Sequence, residues 1–332
     1  MLYRPLGSSN LNVSAVVLGS WAIGGWMWGG SDEDASIRAV RRALDEGINA
    51  IDTAPVYGFG RAEEIVGKAI AGRRDEVVLM TKCGLIWEGK QGRHFFDSDE
   101  DAVTNGHGRF RVHRCLAADS IRREVDSSLR RLGTDRIDLY QTHWQDAETP
   151  IGETMEILLD LKRRGKILAI GVSNATASIL QAYREFGPVA ADQERFSLLD
   201  RKAEKGNLPY CRKHGLAFLA YSPLAQGLLS GKIAPGATFP PGDQRNDKPR
   251  FRRKNLVKAK ALIFELIPLA AEAGLSPAQF AASWAISSPG CTHALVGIRT
   301  PGQAAEAAGV KELSPEMMAR VENVLTRHPG IV

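Results

Sequence analysis

Short continuous apolar runs recur along the 332-residue chain, and between most of them the apolar residues fall at helical spacing. The first run, Ala15-Val16-Val17-Leu18, predicts a strand buried on both faces. Further runs end near Asp52, Thr81, Gln141, Val172, Gln193, Tyr221 and Val296. Ile37, Val40 and Leu44 mark a helix from Ser31 to Gly47, with Ser31 and Asp34 at capping-box spacing. Other helices are predicted over Arg61 to Ala71, along Ile121, Val125, Leu129 and Leu132 up to Gly133, and along Met155, Leu158 and Leu159 up to Gly165. Tyr3 to Leu6 and Leu11 to Val13 predict a small hairpin around Gly7-Ser8-Ser9-Asn10. Ser314 to Arg327, with Met317, Val321, Val324 and Leu325 at helical spacing, predicts an added packing helix.

Eight strand–helix units without a shift in composition predict one domain over residues 1–332. The expected fold is α/β, a single (β/α)8 TIM barrel with an N-terminal β-hairpin and an extra C-terminal helix; a doubly wound sheet is the competitor. Two connections are too long for simple links. Gly84 to Arg114 carries Trp87, Phe95, Phe96 and Phe110, and Pro223 to about Arg250 is rich in Gly, Pro and Arg. Structureless loops of this length are expected to act as binding loops or lids, and both follow strand carboxyl ends, where barrel enzymes hold their sites.

Composition narrows the function less. Apolar residues at 44% and charged residues at 24% are those of a globular protein. A net charge of +5 favours an anionic ligand. The start, Met1 to Gly7, lacks a signal-peptide core, and no apolar stretch is long enough to span a bilayer. Cys83, Cys115, Cys211 and Cys291 are scattered, so neither disulfides nor zinc are expected, and a cytoplasmic protein is. Gly58-Phe59-Gly60-Arg61-Ala62-Glu63 lacks the last glycine of a dinucleotide fingerprint, and Gly227 to Lys232 is one residue short of a P-loop. His107, His113 and Cys115 lack paired metal-ligand spacing, and no metal is expected. The basic run Arg245 to Lys254 lacks interleaved aromatics, so no nucleic-acid partner is expected.

Chemistry concentrates at consecutive strand ends: Asp52 and Tyr57, then Lys82, then His143. A barrel would bring them to one face. A lysine there needs a counter-ion, which Asp52 can supply, and the cation is expected to lower the pKa of Tyr57. His143 would orient a substrate carbonyl while the phenol exchanges a proton with its oxygen. Taken singly, each residue also fits a plain structural role: an ion pair, a turn tyrosine, a core histidine. A barrel lyase or isomerase using Lys82 as a Schiff base is a further alternative.

With these flanks, Asp52-Thr53-Ala54, Tyr57-Gly58, Lys82 and His143 resemble the Asp–Tyr–Lys–His tetrad of the aldo-keto reductases. The likeness runs from Leu18-Gly19 to Gln303; Gly24 to Gly30 and Thr142-His143-Trp144 are most similar to bacterial members of the general-stress type. The resemblance implies NADPH-dependent reduction of a small-molecule aldehyde or ketone, with Tyr57 as general acid and NADPH preferred over NADH. It also implies a cofactor site. Ser173, Asn174 and Gln193 would hold the nicotinamide carboxamide, Tyr221 would stack on the ring, and Trp21 and Asp52 would border it. Ser222, Pro223, Leu224, Gly227 and Lys232 would cover the pyrophosphate. Gly297, Arg299, Gln303 and Glu306 would surround the adenosine 2′-phosphate. Ala307 departs from the pattern, standing where the family usually has an adenine-contacting asparagine. Trp21, Trp28, Trp87 and Trp144 are the candidate substrate-pocket residues. An NADPH-binding regulatory subunit with little turnover is the alternative on the same barrel.

Overall fold

The computed structural model describes residues 1–89, 91–98 and 110–331. The chain opens with an antiparallel hairpin, β1 (Tyr3–Pro5) and β2 (Asn12–Ser14), as the sequence predicts. The barrel then begins with β3 (Val16–Gly19), β4 (Ala50–Asp52) and β5 (Val78–Cys83). Next comes the long insertion, which is not structureless. Its strands β6 (Leu85–Ile86), β7 (Arg93–Ser98) and β8 (Phe110–Arg114) form an antiparallel sheet in the order β6-β8-β7. The barrel resumes with β9 (Ile137–Thr142), β10 (Ile167–Ser173), β11 (Ala191–Arg195), β12 (Ala217–Tyr221) and β13 (His293–Gly297).

The eight barrel strands pair in chain order, all parallel, and β13 closes onto β3. The second long connection holds three short 3-10 turns and an isolated bridge between Trp28 and Asp243. The first helix covers Glu33–Asp45. Its N-cap is Asp32, which accepts from the Ala35 N–H at 2.7 Å, one residue later than the predicted Ser31. The C-terminal helix, Pro315–Thr326, is capped by Ser314 as expected. Among the described residues, no single helix is long and apolar enough to cross a membrane.

Two-residue alternation decides which strand residues enter the barrel. Val17, Ala50, Met80, Leu139, Ala169, Ala191, Ala217, Leu219 and Leu295 form one buried interior cluster, joined by Leu6 and Val13 from the hairpin, which closes the amino-terminal end. Counting in twos from these plugs puts Asp52, Lys82, Gln141, Ser173, Gln193 and Tyr221 in the next layers toward the carboxyl ends. Their intervening neighbours, such as Ile51, Tyr140, Val172 and Phe218, pack outward against helices. At Gly171 an added Cβ would lie 2.7 Å from Gln141 Cγ, so the missing side chain leaves room for the glutamine beside it.

Candidate active site

The inner layer is polar, and it is satisfied by itself. Lys82 is fully buried and Asp52 is 2% exposed. The Lys82 ammonium donates to Asp52 Oδ2 at 2.6 Å, to the Thr53 carbonyl at 2.9 Å and to the Tyr57 hydroxyl at 3.4 Å. Its three hydrogens thus have three oxygens. The other carboxylate oxygen of Asp52 accepts from Gln193 Nε2 at 2.9 Å and Gln141 Nε2 at 3.2 Å. The sequence reading marks Gln141 only as a strand end. Its inward parity, two residues before His143, is the signal that would have placed it.

Tyr57 is presented by a sharp turn after Pro55, in which Phe59 and Gly58 take positive φ. A Cβ on Gly58 would sit 2.4 Å from the Gly24 carbonyl oxygen, so the turn lies backbone to backbone on the glycine–tryptophan loop. The Tyr57 ring stacks on Trp21 at 6.0 Å and meets His143 edge-on at 5.6 Å. All four tetrad candidates therefore converge at the barrel mouth.

One expectation reverses. Burial first, and the Asp52 charge second, push the Tyr57 phenol well above its ordinary pKa, so the nearby ammonium does not yield a resting tyrosinate. Lys82 is itself drawn down by burial, against the opposing pull of Asp52. Burial and the Lys82 charge hold His143 well below the usual histidine range. At neutral pH the mouth thus presents a protonated phenol and an uncharged imidazole.

Next to this set, the residues expected around a nicotinamide interlock. Ser173 Oγ donates to the Gln193 carbonyl at 2.8 Å, and Asn174 Nδ2 donates to the His143 carbonyl at 2.8 Å. The Tyr221 hydroxyl donates to Asn174 Oδ1 at 2.9 Å. Asn174 holds a positive φ, as do Ser222, Ala225 and Gln226 in the following loop. Left-handed backbone at non-glycine residues costs about 1–2 kcal/mol each, and such strain gathers where backbone must meet a ligand. The loop is held in place by Gln226 Nε2 donating to Gln244 Oε1 at 3.0 Å. The indole Nε1 of Trp21 and of Trp28 are both buried without a partner. A half-buried aromatic, orphaned donors and a strained loop at one mouth fit a planar, anion-bearing cofactor.

The far end of that groove is more occupied than the sequence suggests. Arg299 donates to the Gly30 carbonyl at 2.6 Å, tying the glycine–tryptophan loop to the end of β13. Gln303 caps its own helix, accepting from the N–H of Arg299 at 2.7 Å and Thr300 at 3.2 Å. Lys232 and Glu306, 74 positions apart, form an ion pair at 3.3 Å. Pro223 and Leu224 lie in the strained loop, with Gly227 also at positive φ, while Gly297 is exposed at the end of β13. Ala307 is buried in the outer core beside Ala304.

The four candidate tryptophans divide. Trp28 meets Trp21 edge-on at 5.6 Å and lies 5.1 Å from the Arg245 guanidinium. Trp144 packs on Phe95 at 5.3 Å. Trp87 meets Phe59 edge-on at 5.3 Å and also lines a cavity of about 350 Å³ on the outer flank, with Arg123 and Glu124. Trp26, which the sequence reading leaves unassigned, is buried between Phe59 and Phe96 and donates to Ser98 Oγ at 3.0 Å. Of the dismissed metal triad, His107 lies outside the described residues.

Comparison with known proteins agrees with this geometry. The model of the aldo/keto reductase family matches residues 15–326. Aldo-keto reductase YhdN of Bacillus subtilis (strain 168) is 40% identical over 306 residues, 91% of this chain and 86% of that protein. The NADH-specific methylglyoxal reductase of Escherichia coli (strain K12) is 39% identical over 308 residues, 91% of each chain. Among solved structures, the glycerol dehydrogenase AKR11B4 from Gluconobacter oxydans superimposes with a TM-score of 0.86 at 40% identity, covering 98% of this chain and 96% of its own. This chain, a closed eight-stranded parallel barrel with polar side chains converging at its mouth, belongs to the aldo/keto reductase family of oxidoreductases.

Proposed function

We propose that the protein reduces a small aldehyde or ketone to the alcohol, with Tyr57 as the general acid and NADPH as the preferred cofactor. The observation that carries this is the buried unit of Asp52, Lys82 and Tyr57, with the Lys82 ammonium 3.4 Å behind the phenolic oxygen and His143 at the ring edge. When bound, a reduced nicotinamide would supply the hydride. Ser173, Asn174, Gln193, Tyr221, Trp21 and Asp52 would border its ring. Ser222, Pro223, Leu224, Gly227 and Lys232 would cover the phosphates, and Gly297, Arg299, Gln303 and Glu306 the adenosine end.

The phenol keeps its proton at rest and gives it to an oxygen that gains negative charge. The tyrosinate left behind is stabilised by the ammonium, whose own charge Asp52 balances. Neutral His143 orients the carbonyl by hydrogen bonding without competing as an acid. Trp21, Trp28 and Trp144 supply flat apolar walls, with Trp87 at the flank. All three Lys82 hydrogens are engaged, which argues against a free amine and hence against the Schiff-base alternative.

NADH use is the second reading, favoured by the Escherichia coli relative's name, by Ala307 and by the contact of Arg299 with Gly30. Two relatives are named for methylglyoxal and for glycerol, so both compounds belong in the substrate panel. The experiment is steady-state oxidation of NADPH and of NADH over a carbonyl panel, for wild type and Tyr57→Phe. The expected result is a higher kcat/KM with NADPH, and loss of most turnover in the variant with cofactor binding intact. Retained turnover in Tyr57→Phe would overturn the acid assignment, and a higher kcat/KM with NADH would overturn the cofactor preference.

A further inference from the structure

The insertion sheet carries a cation that the site described so far does not use. Along β8, Val112 is buried in the aromatic cluster of the mouth and Phe110 packs on Phe59 at 4.5 Å, so alternation turns Arg114 to the same side. On β7 a register shift between His94 and Phe96 breaks the alternation. Phe96 can then stack on Trp26 at 5.6 Å while its neighbour Phe95 reaches Trp144 at 5.3 Å. The Arg114 guanidinium lies 3.8 Å over the Phe95 ring and 5.0 Å from that of Trp144, the residue after His143.

Among the described residues this cation has no ion-pair partner, and its Nε is buried without a hydrogen-bond partner. The acid that acts on it, Asp146, is already committed: its oxygens accept from the Leu116 N–H at 3.0 Å, the Glu148 N–H at 2.9 Å and the Thr149 hydroxyl at 2.6 Å. Arg93, its cross-strand partner on β7, adds a second positive charge. Burial and that neighbour both draw the Arg114 pKa down. Aromatic faces offset only part of the hydration lost by a half-buried guanidinium. Lying against the rings, the group keeps a planar fork of N–H donors, the shape that a carboxylate fits.

We propose that Arg114 is the specificity-determining residue of the substrate pocket, and that the preferred substrates are aromatic or similarly flat carbonyl compounds bearing a carboxylate remote from the carbonyl. The proposal deepens the reductase reading and rests on it. Arg114 acts on binding rather than on proton transfer, so its signature is in KM.

The test compares 4-carboxybenzaldehyde with its neutral methyl ester, methyl 4-formylbenzoate, in wild type, Arg114→Gln and Arg114→Lys. Wild type is expected to show the lower KM for the carboxylate. Arg114→Gln should raise that KM by about tenfold or more, the loss of a charge-assisted pair, with kcat and both ester constants little changed. Arg114→Lys should recover part of the loss. A parallel titration follows tryptophan fluorescence on adding terephthalate, which needs no turnover; quenching in wild type should vanish in Arg114→Gln. Equal effects of Arg114→Gln on both aldehydes, or no carboxylate preference and no terephthalate binding in wild type, would overturn the proposal. Terephthalate binding that depends on Arg114, with neither these aldehydes nor any member of the carbonyl panel turned over, would support the carboxylate site and overturn the reductase reading.

Discussion

Replacing Lys82 with Met separates the ion pair as a structural device from the ion pair as chemistry. The substitution keeps an unbranched side chain of similar length and removes the only cation bonded to Asp52 among the described residues. The carboxylate, 2% exposed, is then left with two neutral amide donors, Gln141 at 3.2 Å and Gln193 at 2.9 Å. Breaking one side of a buried pair costs about 3–5 kcal/mol, because the remaining charge is neither hydrated nor neutralised. The double variant Asp52→Asn/Lys82→Met removes both charges, and its side-chain carbonyl can still accept from the two glutamines. Its remaining loss is the Thr53 carbonyl and imperfect amide pairing, about 1–2 kcal/mol. The double variant should therefore be about 2–3 kcal/mol more stable than Lys82→Met alone. Urea unfolding followed by tryptophan fluorescence and circular dichroism measures this as a shift in midpoint at constant slope. Carbonyl reduction should be lost in both variants, since neither places an ammonium behind Tyr57. A single variant within about 1 kcal/mol of wild type, or a double variant as unstable as the two singles summed, would refute the buried-charge argument. Recovered turnover in the double variant would refute the role of Lys82 toward the phenol.

Gly58→Ala forces a Cβ to within 2.4 Å of the Gly24 carbonyl oxygen at a φ of +69°. Displacement of Tyr57 should lower kcat by about a hundredfold, with cofactor affinity retained in a fluorescence titration. Glu124 has its pKa pushed up to about 7, burial outweighing the Gly84 N–H and Ser120 hydroxyl it accepts. The folded state thus holds a proton that the unfolded state releases above its lower pKa of 4.5. Stability from this group is complete below pH 4.5 and declines as pH rises through 7. Glu124→Gln should flatten the fall in Tm between pH 5 and 8, and an unchanged slope would show that the carboxyl titrates normally.

Polar residues at strand ends, with the family motif around them, made much of the site readable. Asp52, Lys82, Gln193 and Tyr221 all end apolar runs, and a two-residue period carries them from the plugs at Ala50, Met80, Ala191 and Leu219 into the polar layer. Gln141, two residues beyond the plug at Leu139, shares that parity but reads in sequence only as a strand end; its contact with Asp52 is what reveals its part in the site. The insertion sheet escaped because adjacent Phe95 and Phe96 break alternation where the strand is bulged, and because β7 and β8 are separated by residues 99–109. Helix onset slipped by one residue because Ser31 and Asp32 are both capable caps, and the bond from the Ala35 N–H to Asp32 decides between them. Arg299, Gln303 and Glu306 were legible as a cluster at the end of β13, but not that each would already hold a partner within the protein.

The reversed direction at Tyr57 sharpens how such a site can act. Sequence reasoning weighed one ammonium against one phenol and expected the cation to win. In the folded barrel, Asp52 lies 2.6 Å from that ammonium, so the pair is nearly neutral seen from Tyr57, and desolvation decides the resting state. A phenol held protonated is a poor acid until negative charge forms beside it. At that moment the balance changes, because the Lys82 ammonium that already donates to the phenol at 3.4 Å stabilises a tyrosinate far more than the neutral group. The same neutral pair that makes full burial of Lys82 tolerable therefore holds in place a donor whose bond strengthens when the phenol ionises. In the proposed reading, this makes Asp52 a regulator of how much of the lysine's charge the phenol feels. Asp52→Asn with Lys82 intact should lower the Tyr57 pKa while leaving an unbalanced buried ammonium. A phenolate difference signal near 295 nm at lower pH than in wild type would report that change, and a signal at unchanged pH would show that Asp52 does not tune the acid.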